Sequence, residues 1–311
     1  MGTPALWALF NACVLAALAL DLGVFHRRAH RVSFTEAEAW SAVWVLLSLG
    51  FNLWIYEAHG RTAALEFLAG YVVEKSLSLD NIFVFVLVFR AFGVAPGLQH
   101  RVLHWGLLGA FVLRGAMIGI GTALVQRFAW ILYPFGALLL VSGVRMLWRG
   151  QHDFHPEDNP ILRWARRVLP VSQQQKQETF FVKESGRRMV TPLFLALLVI
   201  EISDLVFAVD SIPAVFGITR DPFIVYTSNV CAILGLRAFY FLLAGALPYF
   251  RFLDAGLSAI LIFIGAKMLA EPWFHLSTLA ALGVIGLILG IAIGASLVAA
   301  RRAKQHDGPI H

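Results

Sequence analysis

Charge is what this sequence has least of. Only 14% of its 311 residues are Asp, Glu, Lys or Arg, while 59% are hydrophobic; soluble domains carry roughly 25% charge. A chain of that composition cannot clothe a single core in polar surface, so an ordinary soluble domain is excluded. Cysteine is almost missing. Cys13 and Cys231 are the only two, each in an apolar stretch, and neither a disulfide framework nor a zinc site is indicated. The apolar stretches also lack a catalytic Ser and His pair and any zinc motif, so no enzymatic activity is expected. The formal charge of +6 would suggest nucleic acid in a soluble protein. Here most of the basic residues sit in loops, and no nucleic-acid partner is expected.

What is present is a series of long apolar runs. At about 1.5 Å per residue they match a hydrocarbon core about 30 Å thick, and in lipid such runs must be helices because the backbone has to satisfy its own polar groups. The predicted fold is therefore all-α, a polytopic transmembrane bundle. Nine spans are expected, at 4–25, 40–56, 67–89, 102–125, 128–148, 192–217, 223–247, 252–270 and 277–299. The first lacks a basic leader and a small-residue cleavage pattern, and reads as a retained span. With the N-terminus outside, 17 Lys and Arg fall in cytoplasmic segments and only Arg61, Arg127 and Arg220 outside. The bias assigns the C-terminus to the cytoplasm. The polar stretch 149–190, with His152, Asp153, His155, Glu157 and Asp158 among its prolines, reads as a solvated linker.

An internal repeat carries more information. Glu74-x5-Asp80-Asn81-Ile82 in the third span parallels Asp204-x5-Asp210-Ser211-Ile212 in the sixth, and each half continues to an arginine within a span, Arg114 and Arg237. Three spans separate the motifs. An odd number makes the halves cross the membrane in opposite senses, the inverted repeat of many secondary transporters. The expected organisation is two N-terminal spans over 1–66, a first three-helix repeat over 67–148, the linker, a second repeat over 191–270, and a last span with a basic tail over 271–311.

Five carboxylates, Glu74, Asp80, Glu201, Asp204 and Asp210, thus lie in or near the apolar zone, with Asn81 and Ser211 beside them. A charge at a helix centre costs roughly 2.5–3.5 kcal/mol on insertion scales, so something cationic must offset them. The candidates are a metal ion, protons, or Lys75, Arg114 and Arg237. The donors are all oxygen, which favours manganese, calcium or magnesium over copper. Arg114 and Arg237 are expected to orient or release the acids, and Lys75 to compete with a cation for Glu74. Residues six apart lie about 120° apart around a helix. Gathering each motif's acids into one midplane cage would need a break, expected at Asp210 to Pro213, where the proline ring removes a backbone hydrogen bond. Asn52 and Asn229 are candidates to line a pathway or to bond between helices.

The runs Glu74-Lys75-Ser76-Leu77-Ser78-Leu79-Asp80-Asn81-Ile82-Phe83 and Glu201-Ile202-Ser203-Asp204 through Asp210-Ser211-Ile212-Pro213-Ala214 resemble the TerC family of bacterial integral membrane proteins, in particular its Alx-like members. The likeness extends through Gly235-Leu236-Arg237-Ala238 and covers most of 40–270. It implies a protein of the bacterial plasma membrane associated with manganese export, or with tellurite resistance in the members that named the family, and a more distant relation to LysE-type exporters. The family's acidic positions map onto Glu74, Asp80, Glu201, Asp204 and Asp210. The expected function is secondary export of a divalent metal ion, foremost Mn2+, with protons as a possible counter-ion. The rivals are a membrane scaffold or assembly factor with a structural metal site, and a tellurite-resistance protein.

Overall fold

The computed structural model describes residues 2–25, 34–149, 172, 179–184, 187–244 and 252–306. Within them the chain is helical almost throughout. The helices are α1 (Pro4–Phe25), α2 (Phe34–His59), α3 (Arg61–Ala91), α4 (Pro96–Arg127), α5 (Leu132–Arg149), α6 (Pro192–Phe216), α7 (Pro222–Leu234), α8 (Leu236–Leu243), α9 (Leu253–Ala270) and α10 (Thr278–His306). Punctuation in the sequence sets several of these ends. Pro96, Pro192 and Pro222 stand at the first helical position, where a missing N–H costs nothing. Thr191 and Asp221 cap α6 and α7, Asp221 accepting from the N–H of Phe223 at 2.8 Å.

Five helices, α2, α4, α6, α9 and α10, are each long and apolar enough to cross a membrane, or six spans if α7 and α8 are one bent span. The chain is thus a multi-pass, all-α membrane protein. Of the other expected spans, the apolar segments within α1 and α5, Pro4–Ala19 and Leu132–Trp148, are shorter. Helix α3 runs 31 residues, yet Glu66, Glu74, Lys75 and Asp80 fall within it. The charges that make α3 interesting are what set it apart from an ordinary apolar span.

Contacts fix how the helices run against one another. Gly70 and Glu74 on α3 meet Ser228 and Asn229 on α7, so these two run parallel. Gly106, Gly109 and Gly121 on α4 meet Ile200, Glu201 and Phe216 on α6, again in parallel. Gly70 also meets Val215 while Asn81 meets Asp204, which makes α3 and α6 antiparallel. Helices α5 and α9 pack antiparallel and very closely, with Gly136 against the Gly265 carbonyl and Gly143 against that of Ser258. Around this core, α2 lies on α3 and α8, and α10 on α9 and α3.

Two expectations need correction. The helix does not break at Asp210 to Pro213. Pro213 sits in the last turn of α6, and the helix continues to Phe216. With so few residues beyond the ring, the missing bond ends a helix that is stopping anyway. The break falls in the seventh span, where α7 and α8 meet at Gly235 with a 44° bend. There the Lys75 ammonium donates to the Ala232 carbonyl at 3.2 Å, and a Cβ at residue 235 would come within 3.1 Å of the Trp44 Cβ. A side chain entering the hydrogen-bond ladder is a known cause of a kink. The stretch 149–190 is also not wholly loop. Phe181–Glu184 (β1) and Arg187–Val190 (β2) form an antiparallel hairpin, docked by the Phe181 and Phe194 rings at 5.0 Å. The cluster from His152 to Asp158 lies outside the described residues.

Candidate ion site at the centre of the bundle

The buried apolar residues fall into two clusters. They part on α3 between Leu77 and Ile82, on α6 between Ile200 and Ala208, and at the helix break between Leu234 and Leu236. Asn81, Glu201, Ser203 and Asp204 occupy this seam.

At its heart stands Arg114, 1% exposed. Its guanidinium holds Asp204 as a fork, Nε to Oδ2 at 3.0 Å and one terminal nitrogen to Oδ1 at 2.7 Å. The other terminal nitrogen donates to Glu74. The carboxylates are 0% and 3% exposed, so this is a buried three-charge group. Two amides brace it. Asn81 Nδ2 donates to Asp204 Oδ1 at 2.9 Å, and Asn229 Nδ2 donates to Glu74 Oε2 at 2.8 Å. A planar guanidinium suits this work because its donors are fixed in one plane.

The remaining candidates point elsewhere. Asp80 has Asp254, at the start of α9, as its electrostatic neighbour. Asp210 accepts from the Ser142 hydroxyl of α5 at 2.9 Å. Glu201 lies against α4, where a Cβ on Gly109 would overlap its carboxylate, and its Oε2 is buried without a hydrogen-bond partner. Ser211 Oγ and Asn81 Oδ1 are likewise buried and unbonded. Arg237 is 6% exposed and shares with Asp204 the lining of a cavity of about 10 Å3, roughly the space one water requires. Among the described residues, no point gathers three His, Cys, Asp or Glu side chains. The single five-acid cage expected from sequence is therefore not the observed arrangement.

Lys75 also behaves differently from expectation. Its ammonium turns from Glu74 toward the Ala232 carbonyl and the Phe239 ring, 4.7 Å from the ring centroid. Ser76 and Ser78, in the polar run of α3, return their hydroxyls to carbonyls four residues back, at 2.6 and 2.8 Å. Asn229 proves central although its signal, a lone amide in an apolar span, is ambiguous in sequence. Ser142 and Asp254 have no signal marking them.

The sequence model of the integral membrane protein TerC family matches residues 59–304. An uncharacterized membrane protein of Myxococcus xanthus is 48% identical over 307 residues, covering 99% of this chain and 96% of the relative. A protein of Escherichia coli K12 named "Putative membrane-bound redox modulator Alx" is 47% identical over 318 residues, 99% of each chain. A membrane protein of Rickettsia bellii is 37% identical over 292 residues, 94% of this chain and 97% of its own. No solved structure matches the chain.

Proposed function

The chain belongs to the TerC family of integral membrane proteins, and from that premise we propose that it is a secondary transporter carrying a divalent metal ion, foremost Mn2+, out of the cytoplasm. The observation that carries this reading is the clasp on Arg114. A cation position is built between Glu74 and Asp204, carboxylates from opposite motifs, deep in the bundle. In the proposed cycle the ion competes with the guanidinium for these two oxygen donors. Asp80 and Asp210, which do not bond to the clasp, and Glu201, whose electrostatic neighbour is Asp204, serve as the approach and release stations. Asn81 and Ser211 contribute neutral oxygens, and Arg237 tunes the occupancy of Asp204. Ca2+ and Mg2+ share the preference for oxygen and are the alternative cargoes. Protons released from carboxylates as the ion binds would provide the counter-flow.

The proposal includes nine spans in the inner membrane of a bacterium, with the N-terminus outside, the C-terminus in the cytoplasm, and inverted repeats over 67–148 and 191–270. The helix pairs support the repeat. Exchanging its halves exchanges α3 for α6 and α4 for α7, and both α3 with α7 and α4 with α6 are parallel, tightly packed pairs. No catalytic step is part of this reading.

The name of the Escherichia coli relative supports a second reading, that of a membrane-bound redox modulator. Both cysteines of the chain, Cys13 and Cys231, are free, so that reading supplies no disulfide to exchange. A scaffold with a structural metal site and a tellurite-resistance role stand as further rivals. Purified protein in liposomes separates them. Wild-type protein is expected to move Mn2+, and Asp80→Asn or Asp210→Asn to abolish the flux while the protein stays folded in the membrane. Full flux in both variants would sink the metal-site reading, and no flux from the wild type would favour the scaffold or redox reading.

A further inference from the structure

A second opening lies between α2 and α3, away from the acidic centre. Its volume is about 410 Å3, within the roughly 300–1,000 Å3 of clefts that hold small molecules. Leu49, Leu53, Leu65 and Leu68 make its walls apolar. Three polar groups interrupt them. Asn52 and Tyr56 share the α2 stripe with Leu49 and Leu53, spaced three and four residues apart. Arg61 opens α3 immediately after Gly60, whose φ of +87° reverses the chain and sets the arginine at one end of the groove.

Neither Arg61 nor Asn52 is satisfied by the protein. Arg61 makes no ion pair or hydrogen bond among the described residues, although a guanidinium fits the two oxygens of a carboxylate or phosphate. The Oδ1 of Asn52 is buried without a partner, a costly state in apolar surroundings. No Asp or Glu lines the groove. Its one formal charge is positive. An occupant must therefore bring an apolar tail, an anionic head, and polar atoms between them.

We infer that this groove binds one anionic phospholipid. The acyl chain lies along the leucines, and the phosphodiester takes Arg61 and the Tyr56 hydroxyl at the α2–α3 turn. Asn52 lies seven residues before His59, the end of α2, or about 10 Å down the axis. That is just below a headgroup layer about 5–8 Å thick, where the ester carbonyls accept from an amide N–H and accompanying water donates to Oδ1. A zwitterionic lipid fits less well, because the wall offers no carboxylate to its ammonium.

Native mass spectrometry of the full chain, released from micelles containing equal phosphatidylglycerol and phosphatidylcholine, tests this. The wild type is expected to retain one phosphatidylglycerol with a preference of roughly fivefold, the scale one interfacial basic residue supplies. Arg61→Ala should bring the preference close to unity, and Arg61→Lys should keep most of it. Leu53→Trp, which fills the groove from an exposed position, should remove the retained lipid without unfolding the protein. Equal retention of both lipids by the wild type overturns the inference, as does an undiminished preference in Arg61→Ala. Displacement by inorganic phosphate would assign Arg61 to a free anion instead, and a Leu53→Cys cross-link between copies in place of lipid would assign the groove to a second copy of the chain.

Discussion

The two ends of each acidic motif live in different surroundings. At the first end, Glu74 and Asp204 are fully enclosed, share one guanidinium, and are each braced by an asparagine. Six residues on, Asp80 has the Asp254 carboxyl of α9 as its electrostatic neighbour, and Asp210 accepts from a single serine hydroxyl of α5. The same motif is therefore held by an internal cation at one end and left without one at the other. The enclosed pair holds the helices together for as long as the guanidinium stays, and the acids six residues on keep lone pairs to spare.

The largest effect expected from this contrast is on Arg114. Arg114→Leu leaves two buried carboxylates without a counter-charge, which costs about 3–5 kcal/mol, read from unfolding in detergent. Wild-type stability in that variant would break the contrast outright. Replacing the whole group, Glu74→Leu with Arg114→Leu and Asp204→Leu, should recover that loss, because an apolar substitute for a buried ion group is often neutral or better by about 1–4 kcal/mol. Mn2+ flux should stay at zero in the triple variant, which separates holding from carrying.

A smaller effect is expected at Asn229. Asn229→Ala removes a hydrogen bond to a charged partner and should cost about 1.5–3 kcal/mol in the same unfolding measurement. At the other end of the motif the bond to Asp210 is only part-buried, and Ser142→Ala should cost about 1 kcal/mol. If the Ser142 variant lost as much stability as the Asn229 variant, Asp210 would have to be counted as a tie like Asp204.

How much of this is legible in the sequence depends on which spacing is followed. The repeat announces itself through acids six residues apart, and that spacing leads to the right helices. The face that meets at the centre, however, is set by residues seven apart. Two helical turns bring residue i+7 back to within about 20° of residue i, which is why Asn81 reaches the same group as Glu74 and why Ser211 is buried on the side of Asp204. Asp80 and Asp210 are rotated about 120° away by the same geometry, so no broken helix is needed to explain their absence from the centre. The break itself escapes a sequence reading because the visible proline, Pro213, stands in α6, and a lysine entering another helix's ladder leaves no local mark. Lys75 and Ala232 are 157 residues apart, and nothing local in either segment announces the contact. The role of Arg114 is legible in kind, as a partner of the acids, but the choice of Glu74 and Asp204 over the other three requires the packing of α3, α4 and α6.

During synthesis, Glu74 leaves the ribosome 40 residues ahead of Arg114, and Asp204 follows 90 residues behind it. When α3 and α4 enter the bilayer, an acid and a base are already available to each other, and neither has to bear alone the roughly 2.5–3.5 kcal/mol of a single charge in a span. Asp204 then arrives to a guanidinium whose remaining two nitrogens are still open. Order of insertion is thus written into one side chain: Glu74 can meet its counter-charge before Asp204 is made, and the donors Arg114 still has to spare form the socket into which Asp204 locks.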